Sequence, residues 1–105
     1  MKVTTLNYAG KEYQARLDIR GCLEVERKLG ANPLNVLIPI KDEKLPKVAD
    51  LITILHQSLL PLQHNIKYDD VLDLWAEDGA DINKLILDVV QIFKDSGLIK
   101  DEADS

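Results

Sequence analysis

Tyr13-Gln14-Ala15-Arg16-Leu17-Asp18-Ile19-Arg20-Gly21-Cys22-Leu23-Glu24-Val25-Glu26-Arg27-Lys28-Leu29-Gly30 changes its apolar period in the middle. Tyr13, Ala15 and Leu17 alternate with Gln14 and Arg16, the period of two that marks a half-buried strand. From Asp18 onward Ile19, Cys22, Leu23 and Leu29 fall on one stripe of a helix, and Gly30 stands where a helix stops. The stretch therefore predicts the return arm of a hairpin running directly into a capped helix, over about residues 18–29.

Upstream, Val3 to Tyr8 reads as the first arm, Ala9-Gly10 as the turn and Lys11 to Leu17 as the return. Gly10 supplies the positive φ that a tight hairpin turn requires. Two strands alone are marginal in water, so the hairpin must lie on helices or pair its open edge with another chain.

Downstream, Asn32-Pro33 restarts the chain into a short turn or helix through Leu37, which Pro39 is expected to end. Lys41 to Lys44, four charged residues in a row, reads as a loop. Pro46 opens a helix over residues 46–60 with Val48, Leu51, Ile52, Leu55 and Leu59 on one stripe and Ala49, Ile54 and Leu60 off it. A helix apolar on most sides is normally the buried centre of a bundle. The functional alternative is that Ile54, Leu59, Leu60 and Leu62 form a partner-binding surface, covered when a partner docks. After the break at Pro61, residues 68–77 predict a shorter helix with Val71, Leu72 and Trp75 inward. Asp81 caps a last helix over residues 82–96, and Leu98-Ile99 fold back past Gly97. Residues 100–105 read as a frayed polar tail. The expectation is one α+β, mostly α domain over residues 1–105, an N-terminal β-hairpin (2–17) packed on a bundle of four to five helices (18–99).

Apolar residues make up 46% and charged residues 30% of the 105, ordinary values for a globular chain. The net charge of −5 is divided unevenly. Residues 1–47 carry nine Lys or Arg against six Asp or Glu, whereas residues 48–105 carry four against twelve. Such a split can orient self-association or attract a basic partner, or simply keep a small domain soluble. It argues against a nucleic-acid partner, which requires a basic face. No apolar run approaches a membrane span and the N-terminus has no signal core, so neither a membrane nor a secretory route is expected. The lone Cys22 gives no internal disulfide and fits a reducing compartment.

No reaction chemistry is legible, and the expectation is a non-enzyme without catalytic residues, cofactor, metal or small-molecule substrate. The acidic residues from Asp69 to Asp81 fail the calcium-loop test, because placing Gly79 at position six puts Leu74 at one and Leu85 at twelve. His56 and His64 lie on opposite sides of Pro61 with no second Cys beside Cys22, too few ligands for structural zinc. Cys22 on the inward stripe reads as an inert thiol. Asp95-Ser96-Gly97-Leu98 resembles the serine motif of acyl carrier proteins, but that serine opens a helix, whereas Ser96 closes the last one.

Several residue groups together resemble the tail assembly chaperones of long-tailed bacteriophages and prophages, nearest in pattern to the gene-transfer-agent and Gram-positive branches. They are Gly10-Lys11-Glu12-Tyr13 at the turn, Leu23-Glu24-Val25-Glu26 with Leu29-Gly30, Ile54 to Leu60, and Tyr68 to Leu74 before Gly79. The likeness covers about residues 8–99. It departs from the pattern at His56-Gln57, where an aromatic is common, and at Lys67-Tyr68, where Ser or Thr often caps the helix. The resemblance implies a non-catalytic protein of the host bacterial cytoplasm that binds the tape measure protein, helps bring tail-tube subunits to it, and is absent from the mature virion. Two other readings stand beside it: a self-associating protein-interaction domain of a mobile element, forming homo-oligomers, and, more distantly, an acyl-carrier-like protein.

Overall fold

The structure, a computed structural model, describes residues 2–99. Strands β1 (Thr4–Tyr8) and β2 (Lys11–Ala15) form an antiparallel hairpin in which Tyr8 pairs with Lys11 and Thr4 with Ala15. That register leaves a two-residue turn, and both its residues are left-handed, Ala9 at φ 51° and Gly10 at φ 77°. A turn of this hand matches the natural twist of the strands. Thr4, Leu6 and Tyr8 point into the core while Thr5 and Asn7 face out, as period two dictates. The hairpin lies with one face against the helices.

Its flanks are tied as well. The Arg16 N–H donates to the Ser58 carbonyl at 2.8 Å, and the Lys2 N–H donates to the Asp95 carbonyl at 3.3 Å. Helices therefore take up hydrogen-bonding groups beside both strands, which leaves less open edge than two bare strands would offer.

Helix α1 (Ile19–Leu29) begins where the Asp18 carboxylate accepts the Gly21 N–H at 2.8 Å, and ends at Gly30 with φ 70°. Of the stripe expected to face inward, Cys22 and Leu29 pack against the core but Ile19 and Leu23 do not. Ile19 is 74% exposed and Leu23 60% exposed, whereas Gly21 and Val25 are buried, with Cys22 and Leu29 half-buried beside them. The helix is turned by about a quarter of a revolution from the apolar stripe. Gly21 fits this facing, since a Cβ there would meet Leu17 Cδ1 at 3.0 Å and the Gln57 carbonyl oxygen at 3.4 Å.

A 3-10 turn (Pro33–Leu37) is capped by the Asn32 side chain and runs into the short helix α2 (Ile38–Lys41). Pro39 starts this turn rather than ending the segment, because a first-turn position needs no backbone donor. Helix α3 (Val48–Leu59) is buried along most of its surface, as the central helix of a bundle should be. Its buried hydroxyls bond back to the preceding turn, Thr53 to Ala49 O at 2.9 Å and Ser58 to Ile54 O at 2.7 Å. Helix α4 (Tyr68–Glu77) buries Val71 and half-buries Leu74 and Trp75, but Leu72 points outward, contrary to its predicted place. Helix α5 (Ile82–Asp95) is capped by Asp81 and buries Leu85, Val89, Ile92 and Phe93. Beyond it the Leu98 N–H returns to the Phe93 carbonyl at 2.9 Å, and Leu98 and Ile99 pack on the core. One hydrophobic cluster joins the hairpin, α1, α3, α4 and α5, so the fold is α+β and mostly α. The tail expected at 100–105 lies outside the described residues.

Candidate functional site

The four residues expected to meet a partner separate into two pairs. Ile54 is 0% exposed and Leu59 1%, both enclosed by the hairpin and the neighbouring helices. They are core, because α3 is surrounded, and they offer no surface to a partner of the folded protein. Leu60 is half-buried and Leu62 is 38% exposed, where the chain leaves α3. The expectation therefore narrows to Leu60 and Leu62.

Leu60 lines an open groove of about 360 Å³ between the start of α1 and the end of α3, with Arg20, Glu24, Gln57, Pro61 and His64. A second depression of about 370 Å³, formed by Arg16, Asp18, Ile19 and Arg20, shares Asp18 and Arg20 with the first. The two make one concave strip across the N-terminal end of α1, beside the exposed Ile19 and Leu23. Its acids are engaged: Asp18 caps α1, and Glu24 is paired with Arg27, which holds its carboxyl below the ordinary range. Arg16 and Arg20 make no ion pair among the described residues, and the Arg16 Nε is buried without a hydrogen-bond partner there. The strip thus sets Ile19, Leu60 and Pro61 among polar and charged groups, with Arg16 and Arg20 making no ion pair among the described residues. Sequence pattern alone hid it, because Ile19 and Leu23 read as core.

The densest polar cluster lies elsewhere, where the hairpin tip meets α4 and α5. The Tyr8 hydroxyl donates to Asp88 Oδ2 at 2.5 Å, and the Lys84 ammonium sits 3.4 Å from the centre of the Tyr8 ring. Lys84 also pairs with Asp78 at 3.0 Å and Asp88 at 3.6 Å, and donates to the Asn7 carbonyl. Asp78 accepts the Ala9 N–H at 2.9 Å; this bond and Lys84 hold its carboxyl below the usual range. Burial, then the hydrogen bond to Asp88, drives the Tyr8 phenol far above its ordinary value, so it stays a donor rather than a base. Every charge in the cluster has a partner and neither groove opens on it, so it clamps the hairpin to the bundle. No spacing rule could have joined Tyr8 to Asp88, 80 positions later.

The clamp has a pH signature. Because the folded pKa of Tyr8 exceeds its unfolded value of 10.0, the stability it contributes is complete below pH 10.0 and is lost as pH rises above it. The expected slope from this group alone is about 1.4 kcal/mol per pH unit. Tyr8→Phe should lose about 1.5–3 kcal/mol near neutrality, the worth of a hydrogen bond to a charged group. It should also remove that alkaline slope, so that urea-unfolding stabilities of the two proteins converge above pH 10.0. Parallel curves would mean that the hydroxyl is not held as described.

Of the remaining reactive side chains, most are engaged, though His56 Nδ1 is buried without a hydrogen-bond partner among the described residues. Burial, with Glu26 and Asp18 adding, pushes the Cys22 thiol up, away from the thiolate form. His56 Nε2 lies 2.9 Å from the Ile66 carbonyl, an acceptor, so this nitrogen carries the proton. Its ring meets Tyr68 edge-on at 6.2 Å. The Ser96 hydroxyl donates to the Phe93 carbonyl at 3.1 Å, at the end of α5 and not at the start of a helix. No helix among the described residues is long and apolar enough to cross a membrane. No protein-family profile, curated protein or solved structure matches the chain.

Proposed function

We propose that this protein is a non-catalytic tail assembly chaperone of a long-tailed phage or prophage. In this reading it acts in the bacterial host cytoplasm, binds helical stretches of the tape measure protein, helps recruit tail-tube subunits, and leaves before the tail is finished. Support comes from the residue pattern described above and from one structural observation, the exposed apolar side chains Ile19 and Leu23 on α1 and Leu62 beyond α3, near the groove that Leu60 lines. A concave apolar surface is what an amphipathic helix docks into, and surrounding charge keeps such a complex in solution. Ser96, hydrogen-bonded at a helix end, gives the carrier-protein alternative no support.

Co-expression with a phage tape measure protein should recover a complex. Leu23→Asp with Leu62→Ser should abolish recovery while leaving folding stability within about 0.5 kcal/mol, since both residues are exposed. Purified tails should lack the protein. Repeated failure to recover a complex with the wild-type chain would sink this reading.

A further inference from the structure

We infer that the groove between α1 and α3 takes a helix that presents an Asn or Gln carboxamide from its apolar face, and that Gln57 pairs with that group. Four polar side chains are buried among the described residues, Thr4, Thr53, Gln57 and Ser58. Three of them are hydrogen-bonded, Thr4 to Asp95 at 2.6 Å, Thr53 to the Ala49 carbonyl and Ser58 to the Ile54 carbonyl. Gln57 is the exception. It is 7% exposed and lines the groove, and its carboxamide makes no hydrogen bond among the described residues. Unpaired polar groups are rare inside folded proteins, and one at the wall of a groove is met by water or by whatever docks there.

Gln57 selects the class of ligand. The lining carries both signs, Asp18 and Glu24 against Arg20, with Asp18 capping α1 and Glu24 paired with Arg27, so charge favours neither an anion nor a cation. A carboxamide offers donors on one side and an acceptor on the other, and a second carboxamide answers both at once. Leu60 and Pro61 beside it supply apolar contact. An extended peptide also carries amides, but it leaves a row of main-chain groups that a single carboxamide cannot satisfy. A helix satisfies its own backbone and brings one side-chain amide to one place. An apolar helix face without that amide would cover Gln57 and cut it off from water, which costs affinity. The inference takes from the chaperone reading only that a helix docks here.

The test is an NMR titration of the isotope-labelled protein with two net-neutral amphipathic helical peptides, identical but for Gln or Leu at one central apolar position. The Gln peptide should bind about tenfold more tightly, because one amide pairing is gained and one unpaired group avoided. It should also shift the Gln57 side-chain signals. Gln57→Met should reverse the preference and leave the fold intact, because the carboxamide it removes has no protein partner to lose. Were that variant to misfold, the wild-type comparison of the two peptides would decide alone. Equal affinity for both peptides, binding of neither, or a preference that survives Gln57→Met would each overturn the inference. A Gln preference without recovery of a tape measure protein would uphold it and count against the chaperone reading alone.

Discussion

Ile54→Ala is expected to cost about 2–5 kcal/mol of folding stability, the range for removing a large aliphatic side chain from a packed core. The site has no slack, for Ile54 is 0% exposed on a helix enclosed by the hairpin and by α1, α4 and α5. Other members of its cluster, Leu51, Leu55, Leu85 and Phe93 among them, are themselves fully buried and cannot collapse into the space without exposing something else. Domains of this size are stable by only about 5–15 kcal/mol, so the loss is a large share of the total. Leu59→Ala should behave alike, while Leu62→Ala on the surface should stay within about 0.5 kcal/mol. Urea denaturation decides the matter through the transition midpoint at unchanged slope. If Ile54→Ala unfolds no more readily than Leu62→Ala, then α3 is not the enclosed centre, and Ile54 returns to the list of residues a partner could reach.

That contrast shows where sequence reading succeeded and where it stopped. The helix bounds at Gly30, Pro61 and Gly97 were legible because each break has a local cause, a left-handed residue or a missing backbone donor. The centrality of α3 was legible because a helix apolar on most sides has one economical place in a bundle. The facing of α1 was not. Hydrophobicity placed Ile19 and Leu23 inward, but α1 seats Gly21 and Val25 on the core instead, where a Cβ added at Gly21 would lie 3.0 Å from Leu17 Cδ1 and 3.4 Å from the Gln57 carbonyl oxygen. The candidate groove follows from this rotation, so it stayed hidden until Gly21 was located. The Tyr8–Lys84–Asp88 clamp stayed hidden for another reason, since it joins residues from opposite ends of the chain.

Gly21→Val should therefore be among the most damaging substitutions outside the apolar core, at about 2–4 kcal/mol. A Cβ at this position would lie 3.0 Å from Leu17 Cδ1, 3.3 Å from Asp18 Oδ1 and 3.4 Å from the Gln57 carbonyl oxygen. Leu17 is 1% exposed and has nowhere to swing, and the Gln57 oxygen belongs to the backbone of α3. Overpacking of this kind costs about 1–3 kcal/mol. Displacing the Asp18 oxygen adds about 1 kcal/mol, because that oxygen caps α1 through the Gly21 N–H. Gly21→Ala separates the contributions. Alanine gains about 1 kcal/mol of helix propensity over glycine but meets the same three atoms, so it should be neutral or destabilising. In an Asp18→Ala background the cost of Gly21→Val should fall by about the worth of the cap, because no capping oxygen remains to be displaced. Should Gly21→Ala instead stabilise the protein by the full propensity gain, α1 does not approach α3 this closely. Its rotation, and with it the outward facing of Ile19 and Leu23, would then need another cause.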